Sequence, residues 1–130
     1  MSTTDLSWLL RDFVETVPGA RAALLASDDG MRTSCHGLEP DTADALAALI
    51  SGQGAMAAQL SAITGSAGTV FSQMVVQAGD TTEFVMRAGS GSSVICVLAD
   101  SGADPGVVGH RLAQLVAQVD EHMAVPSRAV

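Results

Sequence analysis

The sequence predicts an α+β domain, a five-stranded antiparallel sheet sandwiched between helices in the order α-β-β-α-β-β-β-α. Three observations carry that prediction. Apolar residues switch along the 130-residue chain between helical stripes and short runs of strand length. The runs at 22–26 and 94–99 are apolar on both alternating faces, as a strand covered on both sides must be. The later runs are joined by short Gly-containing links, which connect antiparallel neighbours.

The elements follow in order. Residues 5–17 place Leu6, Leu10, Phe13 and Val17 on one helical stripe with Leu9 beside it, and Pro18-Gly19 ends the helix. Residues 21–27 form a strand, Asp29-Gly30 a tight hairpin turn, and 31–36 the return strand. A second helix starts at Pro40 and Asp41 and runs to Thr64. Asp41 is its expected N-cap, Asp44 adds charge to its first turn, and Gly65 and Gly68 break it. Strands at 69–77, 82–88 and 93–99 come next, separated by Gly79-Asp80 and by Gly89-Ser90-Gly91. Asp104 caps a last helix over 105–123, with Val108, Leu112, Leu115, Val119 and Met123 on its stripe. No repeat or linker interrupts this pattern. Residues 1–130 therefore read as one domain with its core at 5–123 and flexible tails at 1–4 and 124–130.

Composition narrows the function. Hydrophobic residues make up 48% of the chain, enough for one packed core without metals or disulfides. Charged residues make up 15%, against about 25% in an ordinary domain, so part of the surface is expected to face another protein. The net charge of -8 repels phosphate backbones and anionic lipid, so neither nucleic-acid binding nor a membrane surface is expected. The opening MSTTDLSWLL lacks a basic region followed by an apolar stretch, and a cytoplasmic location is expected. Residues 45–64 are uncharged and as long as a membrane span, but Ala, Gly, Ser and Gln dominate them, so no insertion is expected. Cys35 and Cys96 read as two buried thiols in a reducing compartment.

No chemistry converges in the sequence. Cys35 and His36 are adjacent on a strand and point to opposite faces, which defeats both a metal pair and a Cys–His nucleophile. His110 and His122 are separated around the last helix. Asp28-Asp29 fits turn chemistry, and Asp120-Glu121 fits a solvated helix face. Gly89-Ser90-Gly91 lies between strands, and the chain has no Lys, so a phosphate-binding loop is excluded. The expectation is no catalytic residue, no metal and no cofactor.

The segment 45–79 contains no Asp, Glu, Arg or Lys, although a surface helix normally carries a charged face. On a helical wheel, Leu46, Leu49, Ile50, Met56, Leu60 and Ile63 fall in one sector and are expected to cover the sheet. Ala43, Ala47, Ser51, Gly54, Ala58 and Ser61 fall in another, a ribbon of small uncharged side chains that would let a second helix approach closely. The strand at 69–77 is also uncharged and is expected at a sheet edge, where it invites another strand. Two copies related by a two-fold axis would then meet through the small ribbon and through Val70, Phe71, Gln73 and Val75.

The run LSWLLRDFVETVPGARAALLASDDGM resembles the opening of bacterial roadblock proteins, relatives of the dynein roadblock light chain. Leu6, Trp8, Leu9, Leu10, Phe13, Val17, Pro18, Gly19, Ala23, Ser27, Asp29 and Gly30 carry the likeness. LAALISGQGAMA at 46–57, VVQAGDTTEFVMRAGSGSSVICVLA at 75–99 and DPGVVGHRLAQLV at 104–116 resemble the family's middle helix, three-strand meander and closing helix. Asp28, Pro105, His110 and Arg111 depart from the family pattern. The resemblance implies a roadblock/profilin-like fold and a homodimer. It also implies a non-enzymatic adaptor or regulator of a small Ras-like GTPase, acting beside a sensor-kinase-like protein in a bacterial signalling system. A small-molecule-sensing domain is the alternative, and it requires an internal cavity large enough for a ligand, on the order of 300 Å³.

Overall fold

A computed structural model describes residues 5–66, 71–88 and 93–124. Its elements occur in the expected order: α1 (Ser7–Thr16), β1 (Ala20–Ser27), β2 (Arg32–His36), α2 (Pro40–Ile63), β3 (Gln73–Ala78), β4 (Thr81–Ala88), β5 (Ser93–Asp100) and α3 (Pro105–Ala124). Gly68, Val70, the Gly89-Ser90-Gly91 link and both expected tails, apart from Ala124 at the end of α3, lie outside the described residues.

The strands form one antiparallel sheet in the order β2-β1-β5-β4-β3. The two strands that read as apolar on both faces, β1 and β5, stand side by side near its middle and are buried on both faces. One face is covered by α1 and α3, around Leu10, Phe13, Leu25, Val97, Leu112 and Leu115. The other is covered by α2, around Leu24, Ala26, Ala47, Ile50, Val85 and Cys96. The uncharged strand β3 stands at an edge, as expected.

The helix ends show why the chain turns where it does. The backbone N–H of Leu6 donates to Ser34 Oγ at 3.2 Å, which ties the start of α1 to β2. Gly19 then turns the chain at a φ of +87°, and a Cβ there would lie 2.7 Å from Ala103 Cβ, so only glycine fits. Asp104 caps α3 by accepting from the N–H groups of Gly106 and Val107. At α2 the N-cap is Glu39, not Asp41. Pro40 occupies the first turn, where its missing N–H costs nothing, and Asp41 follows inside the helix. The edge strand starts at Gln73 rather than 69, and Phe71 is buried beside it instead of extending it.

Leu24 stands opposite Cys35 on one side and Cys96 on the other. The two cysteines are therefore two strand spacings apart, about 9–10 Å, too far for a disulfide. Both thiols are free. Cys96 is buried as expected, whereas Cys35 on the edge strand β2 is only half-buried.

Candidate interaction surface

α2 is 24 residues long and includes an 18-residue stretch with a mean hydropathy of 1.3, so it is long and apolar enough to cross a membrane. Here it lies along the sheet and buries Ala43, Ala47 and Ile50. The expected division of its faces is reversed. Ala43 and Ala47 are fully buried within the chain itself, Ser51 donates to the carbonyl of Asp28 at 3.0 Å, and Gly54 sits against the ring of Phe71. Ala58 and Ser61 are half-buried on the same side. The small ribbon thus admits its own sheet, not a second helix. Leu24, Phe71, Val85 and Val94 already fill the space beneath, and only small side chains let the helix come down onto them.

The large apolar residues consequently turn outward. Ile50 is buried and Leu46 half-buried, but Leu49, Met56, Leu60 and Ile63 are 54, 75, 63 and 80% exposed. After Asp44 no charge interrupts this outward face up to the end of the helix. Exposed large aliphatic residues gathered on one uncharged helix face mark an interaction surface.

The edge strand continues that surface. Arg87 N–H donates to Ser72 O at 3.0 Å, which extends the β3–β4 register in which Gln73 faces Met86. Alternate residues of an antiparallel strand address the same neighbour. Met74 and Val76 therefore turn their backbone groups to β4, and Gln73, Val75 and Gln77 turn theirs outward. Val75 and Val76 are 59 and 40% exposed. Of the residues expected at a contact, Gln73 and Val75 are exposed on this edge. Phe71 is not, and Val70 lies outside the described residues.

Two polar arrangements brace the surface from within. Arg87 donates from Nη1 to both carboxylate oxygens of Asp28 at 2.7 and 2.9 Å and from Nε to the carbonyl of Phe71 at 3.0 Å. Its guanidinium also lies 4.5 Å from the centroid of the Phe71 ring. This clamp fastens the β1–β2 hairpin to the entry of β3, and nothing in the sequence spacing announces it. Deeper, Glu83 of β4 is buried under α2. It accepts from Gln53 Nε2 at 2.8 Å, and the Cys96 thiol points at its other oxygen at 3.9 Å. Burial raises the Glu83 pKa above the ordinary glutamate value, although the Gln53 and Cys96 hydrogen bonds act against the rise.

Elsewhere, a groove of about 430 Å³ runs between α1 and α3, and a smaller one of about 280 Å³ lies beside Ser51, Gly54 and Phe71. Both open onto the surface rather than enclosing a chamber. On the α1 and α3 side, Trp8 meets His122 edge-on with ring centroids 5.2 Å apart. Among the described residues, no three His, Cys, Asp or Glu side chains gather as metal ligands would.

The model of one protein family, the Roadblock/LC7 domain, matches residues 6–101. No curated protein matches the chain. Similar solved structures include a Roadblock/LC7 domain from Streptomyces avermitilis. It is 39% identical, with a TM-score of 0.84 and coverage of 92% of this chain and 98% of that one. The gliding protein MglB from Thermus thermophilus is 25% identical, with a TM-score of 0.72 and coverage of 88% and 87%. Profilin Ib from Acanthamoeba castellanii, 11% identical with a TM-score of 0.57 over 89% and 97%, shares the fold alone.

Proposed function

Since the chain belongs to the Roadblock/LC7 family, we propose that it is a non-enzymatic, cytoplasmic homodimer that serves as adaptor or regulator of a small Ras-like GTPase. The observation that carries the dimer is the continuity of two uncharged surfaces, the outward face of α2 and the free edge of β3. Two copies related by a two-fold axis pair their β3 strands antiparallel through the backbone groups of Gln73, Val75 and Gln77. The same axis sets Leu49, Met56, Leu60 and Ile63 of one copy against those of the other. This removes large aliphatic side chains from water, at roughly 25 cal/mol per Å² of apolar area, and covers the uncharged β3 edge, leaving β2 of each copy as the outer edges of the joined sheet.

The GTPase follows from what the family resemblance implies, and the likeness to a gliding protein at 25% identity is consistent with it. A dimer offers a composite surface that neither copy presents alone. A regulator of this kind acts by holding the GTPase's own switch segments in one arrangement. A sensor-kinase-like protein would be the upstream partner. The acidic net charge argues against nucleic acid and against anionic membrane as alternatives.

Light scattering on the purified protein, alone and mixed with a Ras-like GTPase loaded with GDP or a GTP analogue, tests the reading. Twice the 13.2 kDa chain mass and nucleotide-dependent complex formation are the expected results. A monomer at all concentrations overturns the dimer, and equal binding in both nucleotide states overturns a regulator in favour of a scaffold.

A further inference from the structure

Among the described residues no cation stands beside the carboxyl of Glu83, which lies next to the edge through which the proposed dimer pairs. It is 7% exposed and lies one strand in from the free edge, directly opposite the exposed Val76 of β3 and the half-buried Leu98 of β5. Gln53 covers it from α2, and the neutral thiol of Cys96 approaches it from β5. Among the described residues, the other charged groups of this region are occupied or distant. Arg87, further along the same face of β4, is paired with Asp28, and Asp100 at the end of β5 is paired with Arg21 at 3.1 Å. The acids of α2, Asp41 and Asp44, belong to its other end. His110 and His122 are on α3, across the sheet, and His36 shares its face with Ala23 on that same side.

Gln53 adds a second observation. Its Nε2 donates to Glu83 Oε1, but its own Oε1 is buried with no hydrogen-bond partner. A buried acceptor left unpaired is costly. Rotating the amide about its last bond would set that oxygen against Glu83, where a protonated carboxyl could donate to it. The pair therefore fits either protonation state of Glu83: the carboxylate accepts from Nε2, a protonated carboxyl donates to the rotated Oε1, and the other end of the amide is without a partner in each case.

We propose that two copies take up protons at Glu83 when they pair, one for each copy, so that association strengthens as pH falls. A second copy seated on Val76 and Met56 closes the approach of water to the carboxyl, which disfavours its charged form. The proton comes from solvent and returns to it on dissociation. This inference rests on the dimer proposed above and names how that interface is regulated.

Sedimentation of the full chain between about pH 5 and about pH 8 reads the coupling. The dissociation constant should rise at least about threefold across the range, with a slope never above two protons per dimer. Glu83→Gln, which keeps the shape and stays neutral, should remain dimeric with no such dependence. Dilution calorimetry of the unaltered protein in buffers of different ionisation enthalpy counts the same protons without relying on the variant's folding. A dimer with pH-independent association, or with no proton exchange on dilution, overturns this inference and leaves the dimer standing. The same dependence in a folded Glu83→Gln variant assigns the protons elsewhere and also overturns it. A monomer at every pH overturns both.

Discussion

Gly54 stands against the ring of Phe71, and a Cβ on Gly54 would lie 2.8 Å from Phe71 Cε2. The ring cannot simply retreat, because Arg87 stacks on it and holds the carbonyl of the same residue. Gly52, two residues earlier on the same helix, has open space where a Cβ would go.

This pair gives a matched test of which side of α2 faces the sheet. Replacing a helical glycine by alanine gains roughly 1 kcal/mol of helix propensity. Overpacking a filled site costs about 1–3 kcal/mol. Gly52→Ala should therefore raise the melting temperature by about 3–5 °C, whereas Gly54→Ala should lower it. Gly54→Arg should prevent folding rather than merely separate subunits. Calorimetric melting of the alanine variants at equal concentration decides it, and equal effects at the two positions would refute the packing described for α2.

The outward face predicts the opposite behaviour. Met56 and Leu60 are mostly exposed, so little of the internal packing depends on them. Met56→Arg combined with Leu60→Arg should weaken self-association at least about tenfold by placing like charges at a two-fold contact. The far-ultraviolet circular dichroism of the folded chain should be unchanged. Sedimentation and dichroism on the same samples separate the two effects.

The fold was legible where one physical requirement governed each segment. The two-faced apolar runs of β1 and β5 could only be central strands, and the uncharged strand went to an edge, where the strand order β2-β1-β5-β4-β3 places it. The orientation of α2 was not legible, because no charge beyond Asp44 marks a solvent side. Periodicity separates two faces without saying which one meets the sheet. Size would have decided it only with knowledge that Phe71, Val85 and Val94 already fill the space below. Glu83 and Arg87 were missed for another reason. Their partners Gln53 and Asp28 lie 30 and 59 residues away, and no local pattern records such a pairing.

Arg87 should tolerate no conservative change. Its fork reaches Asp28 and the Phe71 carbonyl at once while its plane covers the ring, and a lysine ammonium cannot do all three. Arg87→Lys should cost about 1–3 kcal/mol in urea unfolding. Half-exposed Asp28 screens the ion pair, so Asp28→Asn alone should cost less than Arg87→Lys. A double-mutant cycle reads their coupling, and additive losses would mean the clamp is not a unit.

The two thiols should differ in reactivity and never join. Cys35 is half-buried on an edge strand, whereas Cys96 is buried with its pKa pushed well up by desolvation and by the neighbouring Glu83 carboxylate. An aromatic disulfide reagent should label Cys35 in the folded protein and reach Cys96 only at the rate of unfolding. Melting curves with and without reductant should coincide. Labelling of Cys96 as fast as Cys35 would show that α2 opens readily from the sheet.

Glu83 should also leave a signature in stability. Its pKa is raised in the folded chain, so the folded form binds more protons than the unfolded form between the ordinary glutamate value and the raised one. Its contribution is fully present below the ordinary value, declines as pH rises through the folded-state value, and is constant above. Asp5 works in the other direction, because a backbone hydrogen bond from Ser7 lowers its pKa and makes it favour higher pH. The difference between Glu83→Gln and the unaltered chain cancels Asp5 and isolates Glu83. The variant's advantage should be smallest in acid and grow as pH rises, because its amide oxygen still accepts from Gln53 Nε2 and the side chain never carries charge. Urea unfolding at fixed protein concentration across the same pH range measures that difference. A flat difference would mean that the carboxyl pays no desolvation penalty beneath α2.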